Sequence, residues 1–194
     1  MKRILVFASG SGSNFKSILD AIKTGELTAE CVGLFCDRDG IGAIELARRD
    51  GIPVFIHRRK DFEDYEKYFL GLLTDMEALR PDLIVLAGYL SKIPSTIVQR
   101  WSGKIINIHP ALLPKFGGKG FYGIHVHEAV LDAREQESGC TVHYVDEVYD
   151  HGSIIEQIVV PVLPDDTSTR LQARILEQEH KIYPKVIQRL LTSN

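Results

Sequence analysis

Short apolar runs alternate with amphipathic stretches along the first 110 residues of the chain. The runs Arg3 to Ala8, Cys31 to Cys36, Pro53 to His57, Leu83 to Ala87 and Lys104 to His109 carry little internal alternation, the pattern of strands buried on both faces. Between them the spacing predicts helices over Asn14 to Lys23, Ile41 to Arg49, Phe62 to Leu79 and Pro94 to Trp101. This rhythm implies an α/β chain with a Rossmann-like, mostly parallel sheet and helices on both faces. Beyond residue 115 the texture changes. The glycine-rich stretch "KFGGKGFYG" precedes a predicted helix from about His125 to Ala133, and two strands follow in "CTVHYV" and "IIEQIVVPV". A long helix from about Ser168 to Leu191, kinked near Pro184, completes the pattern. No repeat, low-complexity tract or linker interrupts it, so a single domain over residues 1–194 is expected.

Composition narrows the setting. A hydrophobic content of 44% in 194 residues is enough for one well-buried core. The formal charge of -3 arises from interspersed acids and bases, so no basic face announces nucleic acid or a membrane surface, while a small anionic ligand stays open. Three cysteines, each in an apolar context, suit reduced thiols in a cytoplasmic protein better than a disulfide frame. The first apolar run is shorter than a signal-peptide core and leads into a glycine loop, and no stretch is long enough to cross a bilayer.

That first loop, "ASGSGSNF", places Gly10 and Gly12 between a strand and a helix, where exposed amides attract phosphate. Ser13 or Asn14 is expected to cap the helix and donate to an anion. A dinucleotide fingerprint is incomplete, because its last glycine position holds the bulky Phe15; a monophosphate cradle fits better. Asp37, beyond the second strand, keeps a nicotinamide-ribose reading open, and a tight turn without ligand is the plain alternative.

The stretch "KIINIHPALLPK" raises a different question. Asn107 and His109 interrupt an interior strand, two apart and therefore on one face, where each needs a partner. The acidic turn "DEVYDHG" offers Asp146, Glu147 and Asp150, and Asp150 before His151-Gly152 is placed to turn inward. An amide, an imidazole and a carboxylate on one cleft suit acyl transfer to an amine. Asn107 and a charged His109 would stabilise the oxyanion; Asp150 would raise the His109 pKa and accept the amine proton. Glu179 falls on the apolar stripe Leu171, Ile175, Ile182 and Val186 of the last helix, either at its edge or turned to a polar ligand such as ribose hydroxyls. The pair His125 and His127, with His109 and His143, offers a zinc-hydrolase alternative. A helix at that point would put the pair on different sides, and no metal is expected.

Together "LVFASGSGSNF", "LIVLAGYLSKI", "IINIHPALLPKF", "VHYVDEVYDHGSII" and "QEHKIYP" resemble, in order, the phosphoribosylglycinamide formyltransferase family of purine synthesis. The resemblance implies formyl transfer from 10-formyltetrahydrofolate, as co-substrate, to the amino group of glycinamide ribonucleotide. It implies Asn107, His109 and Asp150 as the catalytic trio, Gly12, Ser13 and Asn14 at the substrate phosphate, and Glu179 at the ribose. It also implies a folate pocket from Leu86, Leu90, Ser91, Lys92 and Ile93, with Val145, Asp146 and Glu147 opposite. A phosphate-binding half over about 1–100 and a catalytic, folate-binding half over about 101–194 are expected, in a monomer or homodimer. The chain departs from the family pattern at Ser91 and at about Tyr65, where relatives often carry arginine, and in its longer loop "KFGGKGFYG". A formyltetrahydrofolate hydrolase and methionyl-tRNA formyltransferase share the core but carry added domains, which the chain's length disfavours. A non-catalytic nucleotide- or folate-binding protein is the alternative outside enzymes.

Overall fold

The structure, a computed structural model, describes residues 1–193. Its strands are β1 (Lys2–Ala8), β2 (Ala29–Cys36), β3 (Val54–Ile56), β4 (Leu83–Leu86), β5 (Ile105–His109), β6 (Glu137–Tyr144) and β7 (Ile154–Pro161). They form one sheet in the order β3-β2-β1-β4-β5-β6-β7. The first five run parallel, and β6 and β7 join antiparallel. The helices are α1 (Ser13–Thr24), α2 (Gly42–Arg49), α3 (Tyr65–Leu79), α4 (Ser95–Arg100), α5 (Ile124–Asp132) and α6 (Ser168–Thr192).

Strand alternation sorts the core into two layers. Ile4, Val6, Val85, Ile106, Ile108, Cys140 and Val142 face α1, α2, α5 and α6. Leu5, Phe7, Ile84, Leu86 and Ile105 face α3 and α4. Because β5 alternates, Asn107 and His109 share the second face with Ile105, at the strand end beyond the cover of α4. The winding reverses between β1 and β4, and the loops after these two strands meet there: Ser9 N–H donates to Gly88 O (3.1 Å) and Leu90 N–H to Ser9 Oγ (2.9 Å).

Several boundaries differ from the periodic reading: β2 and β6 start earlier, at Ala29 and Glu137, and two others have a visible cause. The helix expected from Phe62 starts at Tyr65, because Asp64 caps it by accepting from Lys67 N–H (2.7 Å). Phe62 is left outside to stack against His57 at 6.0 Å and meet Tyr68 edge-on. The third strand is only three residues long, since β2 pairs with it only through Leu34, Phe35 and Cys36. The last helix passes through Pro184 as one continuous helix; the lost N–H is outweighed by a buried stripe that includes Leu171, Ile175, Ile182, Val186 and Ile187.

Tyr183 ties that helix to the centre of the sheet. Its buried hydroxyl donates to Leu86 O at 2.9 Å, with Ile106 O at 3.3 Å. Tyr183→Phe removes the donor and leaves those carbonyls with one partner fewer, so it is expected to cost about 1–2 kcal/mol. A lower urea midpoint with unchanged m-value would show this; an unchanged midpoint would mean that the hydroxyl contributes nothing net.

Candidate active site

The carboxyl ends of β1, β4 and β5 open into a cavity of about 580 Å³. Its floor includes the loop Ser9–Asn14, Asn107 and His109 of β5, and Glu179 of α6; its far wall is the glycine-rich loop Gly118–Gly123. A second cavity of about 70 Å³ lies beside it, lined by Leu86, Ser91, Lys92, Ile93, Val145 and Asp146 among others. Asn107, Tyr89, Tyr149 and Asp150 line both.

The first loop does what its glycines require. Gly12 adopts φ +81°, and a Cβ there would sit 2.8 Å from Ala43 Cα, so only glycine lets the turn lie on α2. Gly12 is itself the residue before α1, with no side-chain cap, which corrects the expectation that Ser13 or Asn14 caps the helix. The N–H groups of the first turn are therefore not used by a capping side chain, and Ser13 lines the cavity beside them. Asn14 lines the cavity too, and its Nδ2 donates to Glu179 Oε2 at 2.6 Å, with both residues buried. Glu179 thus lines the cavity instead of lying at the stripe's edge, and burial pushes its carboxyl up to about 7 against the lowering effect of Asn14.

Asp37 is not free for a ribose. It accepts from Ser91 Oγ at 2.6 Å and from Arg38 at 2.9 and 3.1 Å, so the nicotinamide reading loses its carboxylate. The same contact pins Ser91, which reaches the second cavity through its loop.

At the end of β5 the predicted trio meets. His109 Nδ1 lies 3.6 Å from Asp150 Oδ2, and Asn107 Nδ2 lies 3.4 Å from Asp150 Oδ1. Asp150 is carried there by the turn after β6 in a left-handed conformation (φ +53°), and Gly118 N–H donates to its Oδ2 at 2.9 Å. A fourth member was not singled out for this role from sequence. His143 sits opposite Asn107 in the β5–β6 register, accepts from Asn107 Nδ2 at 3.1 Å and lies 3.6 Å from Asp150 Oδ1. Its signal was the one that exposed Asn107, a polar side chain in a buried strand.

Partners decide the tautomers. His143 Nδ1 faces Tyr144 O at 2.8 Å, and a carbonyl only accepts, so the proton is on Nδ1 and Nε2 is the acceptor. His109 Nε2 faces Phe116 O at 2.7 Å and carries a proton by the same argument. Burial lowers the His109 pKa; Asp150 and Phe116 O oppose that without cancelling it, and His143 adds to it. This corrects the expectation of a raised value: burial of the ring penalises the imidazolium more than one carboxylate at 3.6 Å favours it. Burial also opposes ionisation of Asp150. His143 and His109, when their rings are protonated, and the Gly118 N–H together outweigh it and hold the carboxyl below its ordinary range.

Other expected residues are placed differently. Leu90 lines the first cavity, not the second, and Glu147 lines neither, its carboxylate accepting from Gln99 Nε2 at 2.8 Å on the surface. Asp146 borders the second cavity while bonding His151 Nδ1 at 2.9 Å. His125 is exposed against Glu128 and His127 is buried, and among the described residues no group of three or more His, Cys, Asp or Glu is placed to hold a metal ion. Burial pushes the thiols of Cys31, Cys36 and Cys140 up to about 12, so none is poised as a nucleophile. Among the described residues no helix is long and apolar enough to cross a membrane.

At the strand ends of this doubly wound sheet an amide and two imidazoles, joined by a carboxylate from the turn after β6, thus meet between two cavities. The sequence pattern of the formyl transferase family matches residues 2–187, and the chain belongs to that family. Within it, the chain is similar to phosphoribosylglycinamide formyltransferases. It is 42% identical over 189 residues to the chloroplastic enzyme of Vigna unguiculata, covering 97% of this chain and 61% of that protein. It is 36% identical to the Haemophilus influenzae phosphoribosylglycinamide formyltransferase, covering 96% and 86% respectively. The crystal structure of glycinamide ribonucleotide transformylase 1 from Geobacillus kaustophilus superposes with a TM-score of 0.91 at 43% identity, covering 98% of this chain and 99% of that one. The chain thus spans about three-fifths of the length of the Vigna protein.

Proposed function

We propose that the chain transfers the formyl group of 10-formyltetrahydrofolate to the amino group of glycinamide ribonucleotide, a step of purine synthesis. The observation that carries this reading is that Asn107 and Asp150 line both cavities, so groups bound in the two would meet at them. The larger cavity suits a phosphorylated sugar. It offers the N–H groups of the α1 start and Ser13 to the phosphate and Glu179 to the ribose, and places the amine near Asp150. The smaller cavity is lined by Leu86, Ile93 and Val145, which suits the flat face of a pterin. Tyr149, exposed and with the Lys92 ammonium 5.9 Å from its ring centre, stands at the border of the two cavities. Unpaired cysteines support a reducing, cytoplasmic setting.

Attack of the amine nitrogen on the formyl carbon forms a C–N bond, leaves an oxyanion and charges the nitrogen. Asp150, ionised at neutral pH, accepts the amine proton directly or through water. Asn107 Nδ2 and His109 Nε2 carry the N–H groups for the oxyanion, exchanging their Asp150 and Phe116 O contacts for it. The neutral His109 donates in its Nε2–H form and needs no prior charge. Collapse of the intermediate breaks the bond to the folate nitrogen, which takes up the proton held by Asp150, directly or through water, so that tetrahydrofolate leaves neutral and the carboxylate is restored. In this scheme His143 is a positioning group that fixes the plane of the Asn107 amide.

The test is an assay with both substrates and with acceptor omitted. Folate release that needs glycinamide ribonucleotide supports transfer, whereas equal release without acceptor would identify a hydrolase. Ser13→Ala is expected to raise the KM for the nucleotide several-fold and leave that for the folate unchanged; equal changes in both would remove the loop from the phosphate site.

A further inference from the structure

Glu179 and Asn14 are an unusual pair to find under a cavity. Glu179 projects from the apolar stripe of α6, and among the described residues its one hydrogen-bond partner is Asn14 Nδ2, at 2.6 Å. Oε1 has no protein partner, and the residue lines the cavity. Asn14 is 7% exposed and Glu179 6%. The amide Oδ1 of Asn14 is buried without any partner, an orphan acceptor that costs free energy as it stands.

An amide can serve a carboxyl group in either protonation state. With Glu179 ionised, Nδ2 donates to the carboxylate. With Glu179 protonated, the amide turned by 180° presents Oδ1 to the acid O–H, and the orphan acceptor is satisfied. The cavity decides between the states. A vicinal diol has two O–H donors, and a carboxylate oxygen accepts from them better than a neutral acid does. Few charges compete. The Cys140 thiol of β6 and the Tyr183 phenol of α6 feel the Glu179 charge, and both are neutral near pH 7. His127 of α5, His109 of β5, Lys119 of the glycine-rich loop and Asp150 of the turn after β6 line the same cavity, yet none of them shifts Glu179, and Lys16 of α1 acts on His180.

We propose that Asn14 is a positioning residue for Glu179 and that the two form a proton-coupled latch, in which binding of the sugar diol expels one proton from Glu179 while Asn14 holds the resulting carboxylate in place. This rests on the assignment of the larger cavity to a phosphorylated sugar. Burial supports it, since Glu179 is pushed up to about 7 and is partly protonated near neutral pH before ligand arrives. The sign follows. Below that value affinity for the sugar falls, approaching tenfold per pH unit, and above it affinity levels off.

Ribose 5-phosphate is a suitable probe, because it requires no formyl transfer. Calorimetry at pH 6 in two buffers of different ionisation enthalpy counts the protons released on binding. The wild-type protein is expected to release most of one proton more than Glu179→Gln, which corrects for protons lost by the ligand phosphate, and the difference should vanish by pH 8.5. Asn14→Leu should weaken binding at least tenfold at pH 7 and move the affinity midpoint up by about one pH unit, while Asn14→Gln should restore part of both. Equal proton release in wild type and Glu179→Gln, or no binding of ribose 5-phosphate, would overturn the proposal. So would an Asn14→Leu protein that binds weakly with an unmoved midpoint, for then Asn14 serves the phosphate directly. If Asn14→Leu does not fold, the Glu179→Gln comparison alone decides. Intact proton release in a protein without formyl transfer would refute the transfer reading and leave the latch standing.

Discussion

Asp150→Asn is expected to lower turnover by about 10²- to 10⁴-fold, the range that a positioned proton acceptor contributes. The substitution is nearly isosteric, and a side-chain oxygen can still accept from Gly118 N–H, so the turn should persist. What it loses is basicity and negative charge. An amide cannot take the proton of the attacking amine, nor can it offset the burial that disfavours charge on His109. Turnover at saturating concentrations of both substrates is the readout, with the thermal midpoint as control for folding. Near-normal turnover would take Asp150 out of the mechanism. The pH dependence supplies a second check. The Asp150 carboxyl is held below its ordinary range, so the stability it contributes is present above that range and lost as pH falls through the depressed value. The Asn variant should lack that acid-side loss.

The second large effect is expected at a residue that touches no substrate. A Cβ on Gly152 would lie 1.8 Å from Tyr144 O and 3.3 Å from Asp146 N, so Gly152→Ala forces backbone apart at the base of the acidic turn. Two groups of the proposed site depend on that spot. Asp150 is two residues away, and Tyr144 O is the acceptor that keeps the His143 proton on Nδ1. Turnover is expected to fall about 100-fold or more, since displacement of a reacting group by about 1 Å costs that much, with a stability loss of about 1–3 kcal/mol from overpacking. Paired measurements of kcat and unfolding free energy separate the two. A protein of normal stability and normal kcat would show that the turn relaxes freely and does not set the position of Asp150.

The periodic reading located nearly every element because burial leaves a local mark. Strands covered on both faces are apolar throughout, and an amphipathic helix repeats about every 3.6 residues. The same logic exposed Asn107, His109 and Glu179 as polar residues at positions that ought to be apolar. His143 carried that mark too, in the strand opposite, but its partner is 36 residues away and only the β5–β6 register pairs them. Element ends were harder, as at Phe62, since Asp64 competes for the helix start with a single hydrogen bond.

By itself, then, the order of residues determined the α/β alternation, the glycine turn after the first strand, the family, and which polar side chains had to find partners inside the protein. Tertiary structure decided who those partners are: Asn14 turned to Glu179, Ser91 tied to Asp37, Glu147 left on the surface, His109 lowered by burial and not raised. The physical reason is range. Burial preference acts residue by residue and is written along the chain, whereas hydrogen bonds and charge interactions act over about 3 to 4 Å between segments up to 165 residues apart. Their outcome, including the sign of a pKa shift, depends on which groups the finished fold brings within that distance and how much water it leaves there.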